Sequence, residues 1–183
     1  MVIRRIVAFI AVAVALGSGT VQAAEEGGYL GIGLGQTKAK DACSGITNCD
    51  DKDTGVKLFG GYQFNPNGAI EIGYVDLGKV KGTGTEFKTS GFDVDFVGTL
   101  PLNDQFAVLA RAGLFFWKVD LSGTSSGSAN GSDLAYGLGV KYEVSRNVSV
   151  RFEWQQFKDL GDKNTTGTSD AKLFYASMAF RFK

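Results

Sequence analysis

The run Val148-Ser149-Val150-Arg151-Phe152-Glu153-Trp154-Gln155-Gln156-Phe157 decides the fold, because its apolar and polar residues alternate in steps of two. Val148, Val150, Phe152 and Trp154 point one way, and Ser149, Arg151, Glu153 and Gln155 point the other, as side chains do along a β-strand. In a soluble protein the apolar set would enter a core. Here the pattern recurs along the whole chain, and no amphipathic helical segment is present to cover an apolar face. The apolar faces are therefore expected to meet lipid.

Working outward, the same alternation marks strands over residues 27–38, 54–64, 69–79, 87–100, 106–119, 132–144, 148–157 and 171–182. Eight strands of this length meet the 9–11 residues that a tilted membrane strand needs. The connections alternate in length. Those at 65–68, 102–105 and 145–147 are tight and rich in Asn, Pro or Gly; those at 39–53, 80–86, 120–131 and 159–170 are longer and polar. Short turns at one rim and long loops at the other predict an all-β, eight-stranded antiparallel up-and-down transmembrane β-barrel. Both termini then lie on the short-turn, periplasmic side. The Gly and Ser tract 122–131 reads as a flexible loop tip.

Composition agrees with this class. The 183 residues include 26 Gly, 14 Phe, 6 Tyr, 2 Trp, 2 Pro and no His. Lys plus Arg equals Asp plus Glu at 19 each, so no excess of positive charge points to a nucleic-acid partner. Residues 1–23 read as a cleavable signal peptide, with Arg4 and Arg5, an apolar run 6–16 and Val21-Gln22-Ala23 as the cleavage site. The barrel domain is then 24–183. Cys43 and Cys49 lie in the first long loop of an exported chain, where a loop disulfide is the natural reading. A metal site would need further soft or imidazole ligands, which the chain lacks.

Parity assigns ten charged residues to the interior: Lys57, Arg111, Lys141, Arg151 and Arg181 with Glu71, Asp93, Asp95, Glu143 and Glu153. An eight-stranded barrel is just wide enough for side chains to fill it. Buried charges must pair, and the equal count allows a plugged, ion-paired lumen. Acid–base catalysis by Asp93 and Asp95, or by Arg151 and Glu153, is the competing reading, since residues two apart share a face. The chain has no His base and no Ser or Cys nucleophile motif, so no catalytic, cofactor or metal residues are assigned. Gly28, Gly31, Gly33 and Gly35 resemble a dinucleotide loop only superficially, because no helix follows. As strand glycines they leave room for side chains to cross the lumen. The aromatics fall into two girdles: Tyr62, Phe64, Phe106, Tyr142, Phe152, Phe180 and Phe182 towards the short turns, and Tyr74, Phe87, Phe92, Phe116, Tyr136, Trp154 and Phe174 towards the long loops.

The segments 28–35 (Gly-Tyr-Leu-Gly-Ile-Gly-Leu-Gly), 59–65 (Phe-Gly-Gly-Tyr-Gln-Phe-Asn) and 69–78 (Ala-Ile-Glu-Ile-Gly-Tyr-Val-Asp-Leu-Gly) bear a family likeness. So do 110–117 (Ala-Arg-Ala-Gly-Leu-Phe-Phe-Trp), 136–142 (Tyr-Gly-Leu-Gly-Val-Lys-Tyr), 150–154 (Val-Arg-Phe-Glu-Trp) and the final aromatic strand. In this order they resemble the OmpA-like family of small outer-membrane β-barrels over essentially all of residues 24–183. The resemblance implies insertion into a Gram-negative outer membrane by the barrel-assembly machinery, which reads a terminal aromatic strand; Phe182 fits, with Lys183 after it. It also implies outer-membrane lipid and lipopolysaccharide as surroundings and an unidentified ligand for the loops. The peptidoglycan-binding domain of larger relatives has no counterpart in the sequence, so cell-wall tethering is not expected. The family's polar interior is matched in type by Arg111, Lys141, Arg151, Glu71 and Glu153. A structural or surface-interaction role through four extracellular loops is expected, with a narrow channel for small or hydrophobic molecules as the alternative. An outer-membrane enzyme would need bases the chain lacks. A soluble ligand-binding barrel fails because the charged set faces inward.

Overall fold

A computed structural model describes residues 26–39, 51–82, 85–123, 127–161 and 168–182. Residues 1–23, read above as a signal peptide, and Cys43 and Cys49, read as a loop disulfide, lie outside these residues. The described chain forms eight antiparallel strands: β1 Gly27–Ala39, β2 Lys52–Asn65, β3 Gly68–Gly82, β4 Thr85–Pro101, β5 Phe106–Gly123, β6 Gly127–Glu143, β7 Val148–Leu160 and β8 Ser169–Phe182. Each pairs with the next, and β8 returns to β1 with Gly28 opposite Phe182, which closes the barrel.

Closure leaves no sheet edge within the membrane, as lipid demands of any backbone it contacts. The outward faces are apolar over a continuous band and include Leu30, Ile72, Val94, Leu138 and Phe180, each more than two-fifths exposed. Above that band every strand changes character. Gln36, Thr54, Asp76, Ser90, Lys118, Ser132, Gln156 and Lys172 succeed the apolar positions on the same faces and mark one polar ring round the barrel.

The three tight turns are built as their residues predict. In the β2–β3 turn the Asn67 amide donates to Asn65 Oδ1 at 2.8 Å, and the Asn67 side chain donates to the Thr99 carbonyl of β4 at 2.9 Å. In the β6–β7 turn Asn147 does the same for β8, donating to the Arg181 carbonyl at 3.0 Å. Each short turn thus also ties down the strand beyond it.

The strands are longer than the periodicity suggests, most of all in the middle of the chain. β4, β5 and β6 have 17, 18 and 17 residues, several more than a membrane crossing requires. The Gly and Ser tract at 122–131 is largely paired strand, with Asp120 opposite Ser128 and Trp117 opposite Gly131. Low β-propensity is overridden there because the β5 ladder satisfies the backbone and the Trp117 ring packs over Gly131. Strands β3 to β6 therefore rise above the membrane band as a four-stranded sheet.

Candidate functional site

The lumen is filled in tiers. At mid-height lies the charge layer. Lys57 on β2 pairs with Asp93 on β4 and lies 3.6 Å from Asp95. Arg111 on β5 spans three carboxylates: its Nη1 donates to Glu71 and to Asp95, both at 3.0 Å, and its Nε and Nη2 donate to Glu153 at 2.9 and 2.5 Å. Arg151 on β7 donates to Glu71 on β3 at 2.7 Å, and its guanidinium stacks over the rings of Tyr29 and Phe59 at 4.9 and 5.1 Å. All seven charged side chains are almost wholly buried.

Four carboxylates here face three cations, and neutral donors make up the shortfall. Gln155 donates its amide to Asp93 and Asp95 at 3.0 and 3.2 Å while accepting from Lys57 at 3.1 Å. Tyr29 donates its hydroxyl to Glu71 at 3.0 Å. Such pairing is what permits charges in a low-dielectric interior, where an isolated ion would cost several kcal/mol or more.

The remaining three charges form a separate group towards the short-turn rim. Lys141 lies 2.9 Å from Glu143, its neighbour two residues along β6, and Arg181 on β8 lies 3.5 Å from the same carboxylate. Of the ten interior charges, seven thus converge on one layer and three on a second. Parity could not reveal this division, because height in the barrel depends on register as well as on facing.

Apolar side chains close the lumen on either side of the charge layer. Towards the short turns lie Tyr29, Phe59, Ala69, Val97, Leu109 and Ala179. Towards the long loops lies a larger cluster around Phe115, Trp117, Phe157, Leu160, Leu173 and Tyr175, with Phe115 and Phe157 ring centroids 4.5 Å apart. The Trp117 indole donates to Asp133 at 2.7 Å. Phe87, expected in the outer girdle, instead packs against this cluster. Its odd number places it on the inward face with Asp93 and Asp95, and its nearness to the rim did not change that facing.

The strand glycines make this packing possible. A Cβ on Gly31 would overlap the Phe59 ring, and one on Gly33 would lie 2.8 Å from the Tyr175 ring. Gln155, Tyr29 and Tyr175 belong to the site although they carry no charge at neutral pH. Their inward facing follows from the same two-residue alternation that places the charged residues.

The OmpA-like transmembrane domain model matches residues 23–183, and the chain belongs to that family. It is 33% identical to outer membrane protein A of Salmonella typhi over 192 residues, covering 94% of this chain and 54% of that protein. It is 32% identical to outer membrane protein A of Shigella flexneri, covering 94% and 55%. The chain thus spans about half the length of these relatives. Among solved structures, Neisserial surface protein A superposes with a TM-score of 0.70 at 18% identity, covering 85% of this chain and 97% of that one. The attachment invasion locus protein of Yersinia pestis gives 0.61 at 20%, covering 86% and 100%. The fold and the setting are therefore those of a barrel of the bacterial outer membrane, with a surface or structural role at the level of the family.

Proposed function

We propose that this OmpA-like barrel is a non-enzymatic surface-interaction protein: a sealed membrane anchor that holds loops and a raised sheet outside the cell. The observation that carries the reading is the filled lumen. Lys57, Phe115, Val75 and Leu173 are at most 1% exposed, so side chains rather than water occupy the cross-section. The barrel wall meets membrane lipid, and lipopolysaccharide is its partner in the outer leaflet. The barrel-assembly machinery inserts it after the segment 1–23 has been removed. Cys43 and Cys49 join to brace the first loop in the oxidising compartment. The interior charges serve as a structural clamp rather than as a catalytic set.

Recordings from purified protein in planar bilayers test this against the channel alternative. A sealed barrel gives no steady current above that of the bare bilayer. A stable open level, with the wild-type lumen intact, would favour the channel and overturn the reading.

A further inference from the structure

Lys141, Glu143 and Arg181 line the lumen at its short-turn mouth, and their charges do not balance. Two cations share one carboxylate oxygen: Lys141 Nζ lies 2.9 Å from Glu143 Oε1, and Arg181 Nη2 lies 3.5 Å from the same atom. Among the described residues no other carboxylate lies within ion-pair distance of either cation. Lys141 also stands directly opposite Arg151 across β6 and β7, and like charges so placed disfavour the pairing unless an anion lies near. Arg151 itself is committed to Glu71 in the charge layer.

Two arginines of the lumen differ in how their guanidinium edges are used. Arg111 grips Glu153 with its Nε and Nη2, at 2.9 and 2.5 Å. The same edge of Arg181 has no such partner. Its Nε is buried with no acceptor among the described residues, and its Nη2 reaches Glu143 only at 3.5 Å. A charge-assisted hydrogen bond is shorter, at about 2.7–2.9 Å. The strand cannot shift to improve the contact, because Asn147 pins the Arg181 backbone, accepting from its amide at 2.7 Å and donating to its carbonyl at 3.0 Å. Ser149, buried on the inward face of β7 between the strands of Lys141 and Arg181, stands opposite Glu143 and adds a hydroxyl.

We infer that the short-turn mouth of the lumen binds a small free oxyanion, of the class of inorganic phosphate, between the guanidinium edge of Arg181, the Lys141 ammonium and the Ser149 hydroxyl. The excess of one positive charge sets the sign of the ligand. The planar fork of the arginine sets its shape, since that fork matches the paired oxygens of a phosphate or carboxylate better than it matches a spherical chloride. The anion enters from the short-turn side, where the Lys141 and Arg181 side chains are 6% and 16% exposed. The apolar cluster of Tyr29, Phe59 and Leu109 bars it from the charge layer beyond. Because the site faces the lumen and not the lipid, its ligand is a free anion rather than a phospholipid headgroup. The inference stands apart from the surface-interaction reading, which concerns the opposite rim.

The test is a titration of the full chain with sodium phosphate, in maltoside micelles free of phospholipid and at an ionic strength held constant with chloride, followed by amide NMR. Saturable shifts are expected at Lys141, Ser149 and Arg181. Lys141→Gln and Arg181→Gln should each weaken binding about tenfold or more, as the loss of one charge-assisted hydrogen bond implies. Glu143→Gln removes the competing carboxylate and no cation, so it should tighten binding by about tenfold. Heat-modifiable migration shows which variants are folded, and Glu143→Gln decides the matter if a cation variant does not fold. The inference is overturned if the wild type shows no saturable shift, or if folded Lys141→Gln or Arg181→Gln binds phosphate as the wild type does. It is equally overturned if Glu143→Gln binds phosphate no more tightly than the wild type.

Discussion

Arg151 and Glu71 stand on β7 and β3, four strands apart round the barrel, and the arginine Nη1 meets the carboxylate across the lumen at 2.7 Å. The contact is a cross-brace. It joins opposite walls where the strand ladders join only neighbours, and it lies beside Arg111, which holds the other oxygen of the same carboxylate at 3.0 Å.

Arg151→Ala should therefore destabilise the folded barrel by about 3–5 kcal/mol, the cost of stranding a buried partner. Arg151→Lys should recover part of this, losing the stacking on Tyr29 and Phe59 but keeping the charge. Reversible urea unfolding in lipid vesicles measures both. Unchanged stability in the alanine variant would contradict the interior pairing.

Gly35 lies where β1 and β8 approach closely, and a Cβ there would overlap the Phe174 carbonyl oxygen. Backbone cannot yield as a side chain can, so Gly35→Ala should cost about 1–3 kcal/mol through overpacking. Gly127, with nothing within 4 Å of its added Cβ, provides the contrast, and Gly127→Ala should be nearly neutral in the same assay.

The facing of each strand could be read from the sequence, since parity alone separates Phe152 and Trp154 from Arg151 and Glu153. Three features could not be read that way. The division of the interior charges into two layers depends on which residues lie opposite one another, for example Glu71 opposite Asp95, and the barrel register fixes that only on closure. The length of β6 was hidden because Gly127, Ser128 and Gly131 have little intrinsic preference for strand, and only the β5 ladder holds them extended. The apolar tier above the charges draws Phe115 and Trp117 from β5, Phe157 from β7 and Leu173 from β8, so no single stretch of sequence displays it.

Trp117→Phe keeps the ring in the upper apolar cluster but removes the donor to Asp133. A loss of about 1–3 kcal/mol is expected from the unsatisfied carboxylate. The unfolding midpoint measures it, and Asp133→Asn in the same background should restore part of the loss by removing the charge.

Above the apolar band, Asp170 fastens the end of β8 to β7. Burial pushes its carboxyl up, but the hydrogen bonds from Lys158 at 2.6 Å and from the Asp159 amide at 3.2 Å hold it below the usual aspartate value. A carboxylate lowered in the folded state stabilises above its unfolded pKa, and that stability is lost as pH falls through the folded value. The Asp159 amide should therefore stay protected at neutral pH and open only below the ordinary aspartate pKa of about 3.9. Asp170→Ala, which removes the acceptor, should open it at all pH values, as amide exchange would show.

A non-reducing digest of the mature protein checks the first loop. The peptide spanning Cys43 and Cys49 should appear two mass units lighter than after reduction, as a disulfide requires. An unmodified pair of thiols would remove the brace from the account.

The inverted sidedness of the barrel, apolar outside and charged within, is tested most directly by nitroxide labels in lipid bilayers. Labels at Ile72, Val94 and Leu138 should be quenched by oxygen and not by a water-soluble nickel chelate, while a label at Asn130 should show the reverse. Access of the chelate to Ile72, Val94 and Leu138, with oxygen excluded, would contradict the account.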